Sequence, residues 1–512
     1  MAKSKAAAEG SGGPRPDLAA VIEAKSGTLD EARPKAVAKR AATGQRTARQ
    51  NVADMVDEGS FQEYGQLSAP AFGYLEGAAD GLVMGTATID GARVAIAAYD
   101  YTVHGGSQST INHAKFDRML HVVHELRLPL VLWAEGAGWR AHDENINARF
   151  YEETFAMMAR LSGHVPTISI VAGRCFAGNA NLAGLCDTVI ATRAATLGMA
   201  GPPLVEAGLG VKMTPEELGP AELHEEAGGI DILAEDEAEA ARFARQYLGY
   251  FRGPGVPGEA PDTLTLRGVV PENRRRAYDV RKVIDGIADV GSVLELRPRF
   301  GRAAVTSLIK VEGRPMGVLA NQPMYISGAM DSPACDKIAR FIQLCDAHDI
   351  PMLYLVDTPG LMIGRETEAT ALVRHSARVL TANTNATTPF MTVVLRKAYG
   401  VGMYIMGSLA IRPALLVGWP TAELGSMGLE GHAKIVHRKE LDALPDEKAR
   451  REREREVADD LLRQNTALAM ARRFEVDDII DPAETRAVAV RFLTSLPPVL
   501  PRTGRKRIID NW

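Results

Sequence analysis

The chain contains itself twice, and this constrains its fold more than any other feature. In the first half, Arg93-Val94-Ala95-Ile96-Ala97 is followed by Gly105-Gly106-Ser107, Lys115, Leu128-Pro129-Leu130-Val131-Leu132-Trp133 and Gly136-Ala137-Gly138. In the second, Arg314-Pro315-Met316-Gly317-Val318 is followed by Ser327-Gly328, Lys337, Ile350-Pro351-Met352-Leu353-Tyr354-Leu355 and Thr358-Pro359-Gly360. Lys337, Pro351 and Gly360 each lie 222 residues after Lys115, Pro129 and Gly138, and Pro389 lies 223 after Pro166. At 512 residues the chain is also too long for one ordinary core, so two domains of similar build are expected.

Each copy alternates short apolar runs with helical stretches, the pattern of an α/β domain whose sheet is covered by helices. A helix from about 112 to 127 sets Phe116, Met119, Leu120, Val123 and Leu126 on one face. Its counterpart, from about 332 to 348, carries Ile338, Phe341, Ile342 and Cys345 in the same rhythm. Residues 1–16 read as a mobile lead. From Pro16 to about Asp57 the pattern predicts two exposed helices, broken at Pro34, that pack on the body or on a neighbour, and Asp90-Gly91 predicts a hairpin turn. Residues 252–275, rich in Gly, Pro and Arg, read as a linker, which sets domains at 17–255 and 276–512 with 256–275 between them. Residues 438–474 predict a solvated helix laced with i,i+4 pairs, and Asp481-Pro482 stops the last apolar run, Val476 to Ile480.

With 46% hydrophobic and 24% charged residues the composition is that of a soluble globular protein. A net charge of −5 makes no global case for nucleic acid. No apolar run approaches the roughly 20 residues of a membrane span, and no signal-peptide core opens the chain, so the cytoplasm is the expected location. The four cysteines lack C-x-x-C spacing and read as reduced core residues, and no H-E-x-x-H arrangement suggests a metal. His104, His113 and His224 read as structural.

The chemistry is expected at Arg174-Cys175-Phe176-Ala177-Gly178-Asn179, which follows the apolar run Thr167 to Ala172 and opens a small-residue segment. This is strand, tight turn, helix. Glycine there lets a ligand approach the backbone, and the first N–H groups of a helix have no intrahelical partner, the ingredients of an oxyanion hole. The competing reading is a glycine needed only for helix–sheet packing. An offset of 223 places Ala177-Gly178-Asn179 on Gly400-Val401-Gly402, so there are two such turns. Asp357-Thr358-Pro359-Gly360 matches the D-x-x-G of GTPases, but no G-x-x-x-x-G-K-[ST] accompanies it, and Asp357 aligns with Glu135 in the repeat. No G-x-S-x-G elbow or nucleophile–base pair emerges, which suits a reaction whose base arrives with the substrate or cofactor.

From about Gln45 to Leu493 the chain resembles the carboxyltransferase subunits of biotin-dependent acyl-CoA carboxylases, of the crotonase-like superfamily. The residues that carry the resemblance are Thr47 to Phe61, Ala200-Gly201-Pro202-Pro203-Leu204-Val205, Glu217-Leu218-Gly219, Arg396-Lys397-Ala398-Tyr399-Gly400 and Trp419-Pro420-Thr421-Ala422-Glu423. The resemblance implies tandem crotonase-like domains and transfer of CO2 from carboxybiotin to the α-carbon of an acyl-CoA. It also implies backbone oxyanion holes at Ala177-Gly178 or Gly178-Asn179, depending on alignment, and at Val401-Gly402, one for the enolate oxygen of the thioester and one for the ureido oxygen of biotin. Gly136-Ala137-Gly138-Trp139-Arg140 stands where the family has Ser-Gly-Gly-Ala-Arg. With Tyr399 and Gly400 it forms the expected substrate-binding set, where Trp139 reshapes the acyl-CoA side and Val401 narrows the pocket. Biotin is expected on a partner: no Ala-Met-Lys-Met segment occurs, so separate biotin carboxylase and biotin carboxyl carrier subunits are implied around a homo-hexameric core. Running the transfer in reverse, as a decarboxylase, and a non-catalytic scaffold are the alternatives. Valine at Gly178 or Gly402 is expected to abolish most turnover while leaving folding intact.

Overall fold

A computed structural model describes residues 13–71, 75–140, 153–500 and 507–512. Residues 1–12 of the expected lead lie outside the described residues.

The repeat in sequence is a repeat in register. The first sheet orders its strands Gln62–Glu63, Leu82–Ile89, Ala92–Tyr99, Leu130–Trp133, Thr167–Val171, Thr188–Thr192 and Ile232–Ala234. The second runs Leu294–Leu296, Ala304–Val311, Arg314–Asn321, Met352–Thr358, Phe390–Tyr399, Leu415–Gly418 and Asp478–Ile479, with Glu423–Gly425 added alongside Phe390–Tyr399. Ala95 pairs with Leu130 and Leu130 with Thr167, while Gly317 pairs with Met352 and Met352 with Phe390. Both halves open with an antiparallel hairpin. Its turn is Asp90-Gly91 in one copy and Glu312-Gly313 in the other, all four residues at positive φ, as a two-residue primed turn requires. The central strands then run parallel and are buried along their whole length, which is why they read as continuous apolar runs.

The helices Thr110–Leu126 and Ser332–Ala347 start at equivalent caps, Ser109 and Asp331, whose side chains accept from Asn112 and Ala334 N–H. The halves share one buried apolar cluster that includes Tyr247, Leu248, Ile338 and Phe341. Across the same junction Arg297 reaches Asp231 at 2.8 Å and Phe251 packs edge-on to His348. All four cysteines are buried and unpaired.

Lys115 and Lys337 are duplicated buried cations. Lys115 Nζ donates to the carbonyls of Ala79 and Leu82; Lys337 Nζ donates to those of Arg297, Phe300 and Ala304 at 2.8–3.1 Å. Each ammonium ties its helix to the turn that enters the hairpin. Burial pulls Lys337 down to about 7 and Lys115 to about 8. The unfolded chain therefore holds more protons from neutral pH up to the ordinary lysine range, and the stability contributed by these groups rises with pH across that window. Lys337→Met strands three buried carbonyls and is expected to cost about 3 kcal/mol at pH 7. It should also flatten the rise in Tm toward high pH, and a variant melting with the wild-type profile would overturn this assignment.

Two sequence expectations are corrected. Residues 16–57 form three helices, Pro16–Ser26, Pro34–Ala41 and Ala48–Met55; Pro34 starts the second because proline suits the first helical turn. The third is not exposed, since Ala48, Asn51, Val52 and Met55 are buried. Residues 438–474 form Arg438–Asp442, Glu447–Gln464 and Ala467–Arg472 rather than one helix. The segment expected as a linker contains a 3₁₀ turn, Thr263–Gly268, anchored by the buried Leu266 and by Arg267 on Asp481.

Candidate active site

In the first half the chain leaves the central strand at Val171, makes a two-stranded ribbon of Arg174–Phe176 with Thr196–Gly198, and turns into the helix Gly178–Gly184. Ala177 makes the turn at φ +52 and ψ −125. That region costs an L residue on the order of 1–3 kcal/mol, so the surroundings must hold it. They do: Ala177 N–H donates to Gly198 O at 2.9 Å, and Asn181 N–H closes the first helical turn on Ala177 O.

The Gly136–Gly138 loop crosses directly over this turn. Phe176 N–H donates to Gly136 O and Gly136 N–H to Arg174 O, both at 2.8 Å. A Cβ on Gly138 would stand 2.7 Å from that of Ala177, so only glycine permits the crossing. The Asn179 side chain clasps the loop: its Oδ1 accepts from Gly138 N–H at 3.0 Å and its Nδ2 donates to Glu135 O at 3.2 Å. Asn179 is fully buried and its side chain is committed to the loop.

The second half repeats the crossing with other residues. Phe390–Tyr399 runs into the helix Gly400–Ile405, and Gly400, at the repeat position of Ala177, has φ +58. Gly402 takes the place of Asn179, and its Cβ would lie 2.7 Å from Gly360 Cα. Thr358 Oγ1 accepts from Gly360 N–H at 3.1 Å, the role Asn179 plays in the first half. The bridge Met330–Leu361 likewise repeats Gln108–Trp139.

This geometry divides the two expected valine variants. At Gly402 the obstacle is backbone, so valine forces Gly360 to move and cannot leave the fold intact. At Gly178 the obstacle is Gln108 Oε1, 2.0 Å from the added Cβ and the end of a side chain that can be cut back. Beside the second turn lies a cavity of about 890 Å³ bordered by Gly400, Val401 and Tyr404. Val401, half exposed, stands on its edge.

A family model described as a carboxyl transferase domain matches residues 39–497. The chain belongs to the carboxyl transferase family. It is 35% identical to the methylmalonyl-CoA carboxyltransferase 12S subunit of Propionibacterium freudenreichii subsp. shermanii, covering 91% of this chain and 90% of the relative. It is 33% identical to the propionyl-CoA carboxylase beta chain of Saccharopolyspora erythraea, covering 90% and 89%. Among solved structures, a single-chain, multi-domain long-chain acyl-CoA carboxylase superposes with TM-score 0.89 at 44% identity; the match covers 94% of this chain and 49% of that longer one. The transcarboxylase 12S hexamer with methylmalonyl-CoA bound gives 0.86 at 33% identity, covering 96% and 97%. The protein is a carboxyltransferase of the biotin-dependent acyl-CoA carboxylases, moving a carboxyl group between biotin and an acyl-CoA.

In this carboxyltransferase not every expected substrate-binding residue faces an open site. Arg140 is buried, with its guanidinium on Asp80 at 2.7 Å and on Ser107, so it holds the fold. Tyr399 is buried with its hydroxyl on Glu423, which Arg274 also grips. Trp139 is half-buried and stacks on His113, ring centroids 5.9 Å apart. Burial pushes His113 down to about 4, so it is a neutral ring support. Ala137 is exposed at the loop's tip.

The aligned carboxylates Glu135 and Asp357 carry the two crossing loops. Burial pushes Glu135 up to about 7 against the pull of Arg40, which lies 2.5 Å away. Burial also raises Asp357, against Lys397 and Arg396. Gln108 and Asp80 escaped sequence reading altogether. Only Gln108 left a trace, as the repeat partner of Met330.

Proposed function

We propose that this carboxyltransferase acts through main-chain N–H groups at its two turns, Gly178 and Asn179 in the first half and Val401 and Gly402 in the second; the Ala177 N–H is held by Gly198 O and fixes the turn instead. One turn binds the thioester oxygen of the acyl-CoA, the other the ureido oxygen of biotin. Each oxygen gains negative charge as the carboxyl group is passed on, and fixed donors at a helix start favour that charge without reorganising. Biotin, carried on a partner subunit, supplies the carboxyl group and the nitrogen that takes the α-proton. The turns fit it, since Gly178 is half-exposed and offers an N–H group rather than a side chain. The observation that carries the reading is the crossing itself, built twice in the same register from different residues. The Gly136–Gly138 loop and Trp139 border the acyl-CoA side of the first turn.

The acyl group is not common to the relatives, which are named for methylmalonyl-CoA, propionyl-CoA and long-chain acyl-CoA. Assembly into a homo-hexamer, as in the 12S relative, is supported by the helix Pro202–Leu209. It buries none of its residues within the chain, and Leu204 and Leu209 stand exposed. Each site would then join one chain's first half to another's second half, and receive a biotin carboxyl carrier subunit loaded by a biotin carboxylase. We place the protein in the cytoplasm, where buried unpaired cysteines stay reduced; among the described residues no helix is long and apolar enough to cross a membrane.

Free biotin should accept labelled carboxyl from malonyl-CoA or methylmalonyl-CoA on the purified chain, with a hexamer in light scattering. No transfer from any carboxylated acyl-CoA would favour a scaffold, and a fully active monomer would remove the shared site.

A further inference from the structure

The carboxylates at the roots of the two crossing loops are not equally secured. In the second half both oxygens of Asp357 are occupied: Oδ2 accepts from Arg396 Nε at 2.9 Å and Oδ1 from Lys397 N–H at 3.2 Å. Arg396 is itself fixed, since its Nη1 donates to the carbonyls of Arg274 and Arg276. In the first half Glu135 has a single anchor, Arg40 Nη2 at 2.5 Å, and its Oε1 is buried without a hydrogen-bond partner.

That anchor comes from far along the chain. Arg40 ends the helix Pro34–Ala41, where its Nε donates to Arg46 O and its guanidinium lies over the Tyr101 ring. The unpartnered Oε1 rests against Gly173, where an added Cβ would stand 2.1 Å from it, on the connection between the central strand and the ribbon Arg174–Phe176. The main-chain carbonyl of the same residue takes the Asn179 side chain. Glu135 therefore joins the N-terminal helix, the Gly136–Gly138 loop and the segment that enters the first turn.

We propose that Glu135 is a positioning residue: its ionised carboxylate, gripped by Arg40, holds the Gly136–Gly138 loop over the first turn, and protonating it slackens the loop and slows carboxyl transfer. The role rests on the carboxyltransferase reading, because it acts through a turn that meets the acyl-CoA. A proton on Oε1 leaves Arg40 facing a neutral group, which turns a charge-assisted hydrogen bond into a weaker one.

The surroundings set where that happens. Burial pushes Glu135 up to about 7 against the pull of Arg40, and Glu237 and Asp100 add to the push. Asp100 is held by Arg33, and Glu237 accepts from Arg46 N–H. Burial keeps the neighbouring Cys175 a thiol, while Lys39, Arg174 and Glu216 stand with Glu135 and Arg40 around a cavity on this side of the loop. No histidine is among the described residues bordering that cavity, so Glu135 is the group there that titrates near neutral pH.

The test is carboxyl transfer from malonyl-CoA or methylmalonyl-CoA to free biotin, measured on the full chain from about pH 5.5 to about pH 9. In the wild type the rate per folded molecule is expected to rise with pH through about 7 and then level off. Glu135→Gln keeps the side chain's size and loses its charge. Its rate should stay at the wild type's low-pH level, at least about ten-fold down at about pH 8, with no inflection and with KM for biotin unchanged. Arg40→Lys should keep the inflection, and Arg40→Gln should move it to higher pH, since the cation is what favours the ionised carboxylate. Lost packing produces no such shift. A Glu135→Gln enzyme that matches the wild type at about pH 8, or keeps the inflection, overturns the inference, as does an inflection that Arg40→Gln leaves in place. A Glu135→Gln enzyme that melts earlier while its folded fraction keeps the wild-type rate and profile overturns it too, by making the pair structural. Each of these outcomes leaves transfer itself standing. A wild type that transfers from neither donor at any pH sinks the carboxyltransferase reading as well.

Discussion

Gly178→Val is expected to lower turnover by about 10²–10³, the cost of losing one oxyanion donor. The added Cβ would stand 2.0 Å from Gln108 Oε1, so the single variant must displace either Gln108 or the turn itself. Pairing it with Gln108→Ala removes that obstacle and separates the two reasons for glycine. If Gly178 serves only to clear Gln108, the double variant regains wild-type turnover. If it keeps the turn open for a substrate oxygen, the double variant stays slow while its melting temperature recovers. Recovery of turnover along with stability would end the oxyanion-hole assignment at this turn. Gly402→Val cannot serve the same purpose, because it meets Gly360 backbone and should lose stability and activity together.

Arg140→Ala should remove about 3–5 kcal/mol of stability, the usual result of leaving one member of a buried ion pair without its partner. Asp80 is fully buried, and its Oδ1 loses the guanidinium 2.7 Å away. Ser109 Oγ still donates to the other oxygen, so the carboxylate is left half-satisfied. Asp80 and Ala79 both sit in the left-handed region, which makes this turn dependent on its side-chain ties. Adding Asp80→Asn, which removes the charge and tolerates that backbone, should restore part of the loss. Denaturant midpoints read the stability, and KM for acyl-CoA on the folded fraction tests the alternative. A raised KM with unchanged midpoint would return Arg140 to the substrate site where the motif had placed it.

How much was legible depended on whether the signal was periodic or spatial. The duplication, the Asp90-Gly91 hairpin turn, the apolar strands and the two strand-to-helix turns were readable. Each is set by residues adjacent in the chain: apolar runs, Asp90-Gly91, and small residues at 177–179 and 400–402. The repeat offset went further, since it aligned the strands and turns of one half with those of the other. It also marked Lys115 and Lys337 as equivalent, although their roles as anchors for backbone carbonyls could not be read. The N-terminal helices were misjudged because charged side chains such as Arg40 and Arg49 looked like a solvated face. In the fold Arg40 is buried against Glu135, and Arg49 grips Glu63.

By itself, then, the sequence determined the tandem α/β architecture and the position of two turns able to present backbone donors, because local periodicity and glycine's conformational freedom act within a few residues. The tertiary structure alone decided which residues of those motifs are free to meet a substrate. Asn179 became a clasp, Arg140 an ion-pair partner, Tyr399 a buried prop, and Gly402 a point of backbone contact. Each outcome depends on a partner far along the chain, such as Asp80 for Arg140 or Glu423 for Tyr399. A side chain's hydrogen bonds go to whatever the fold brings within about 3 Å, and sequence spacing does not encode that distance.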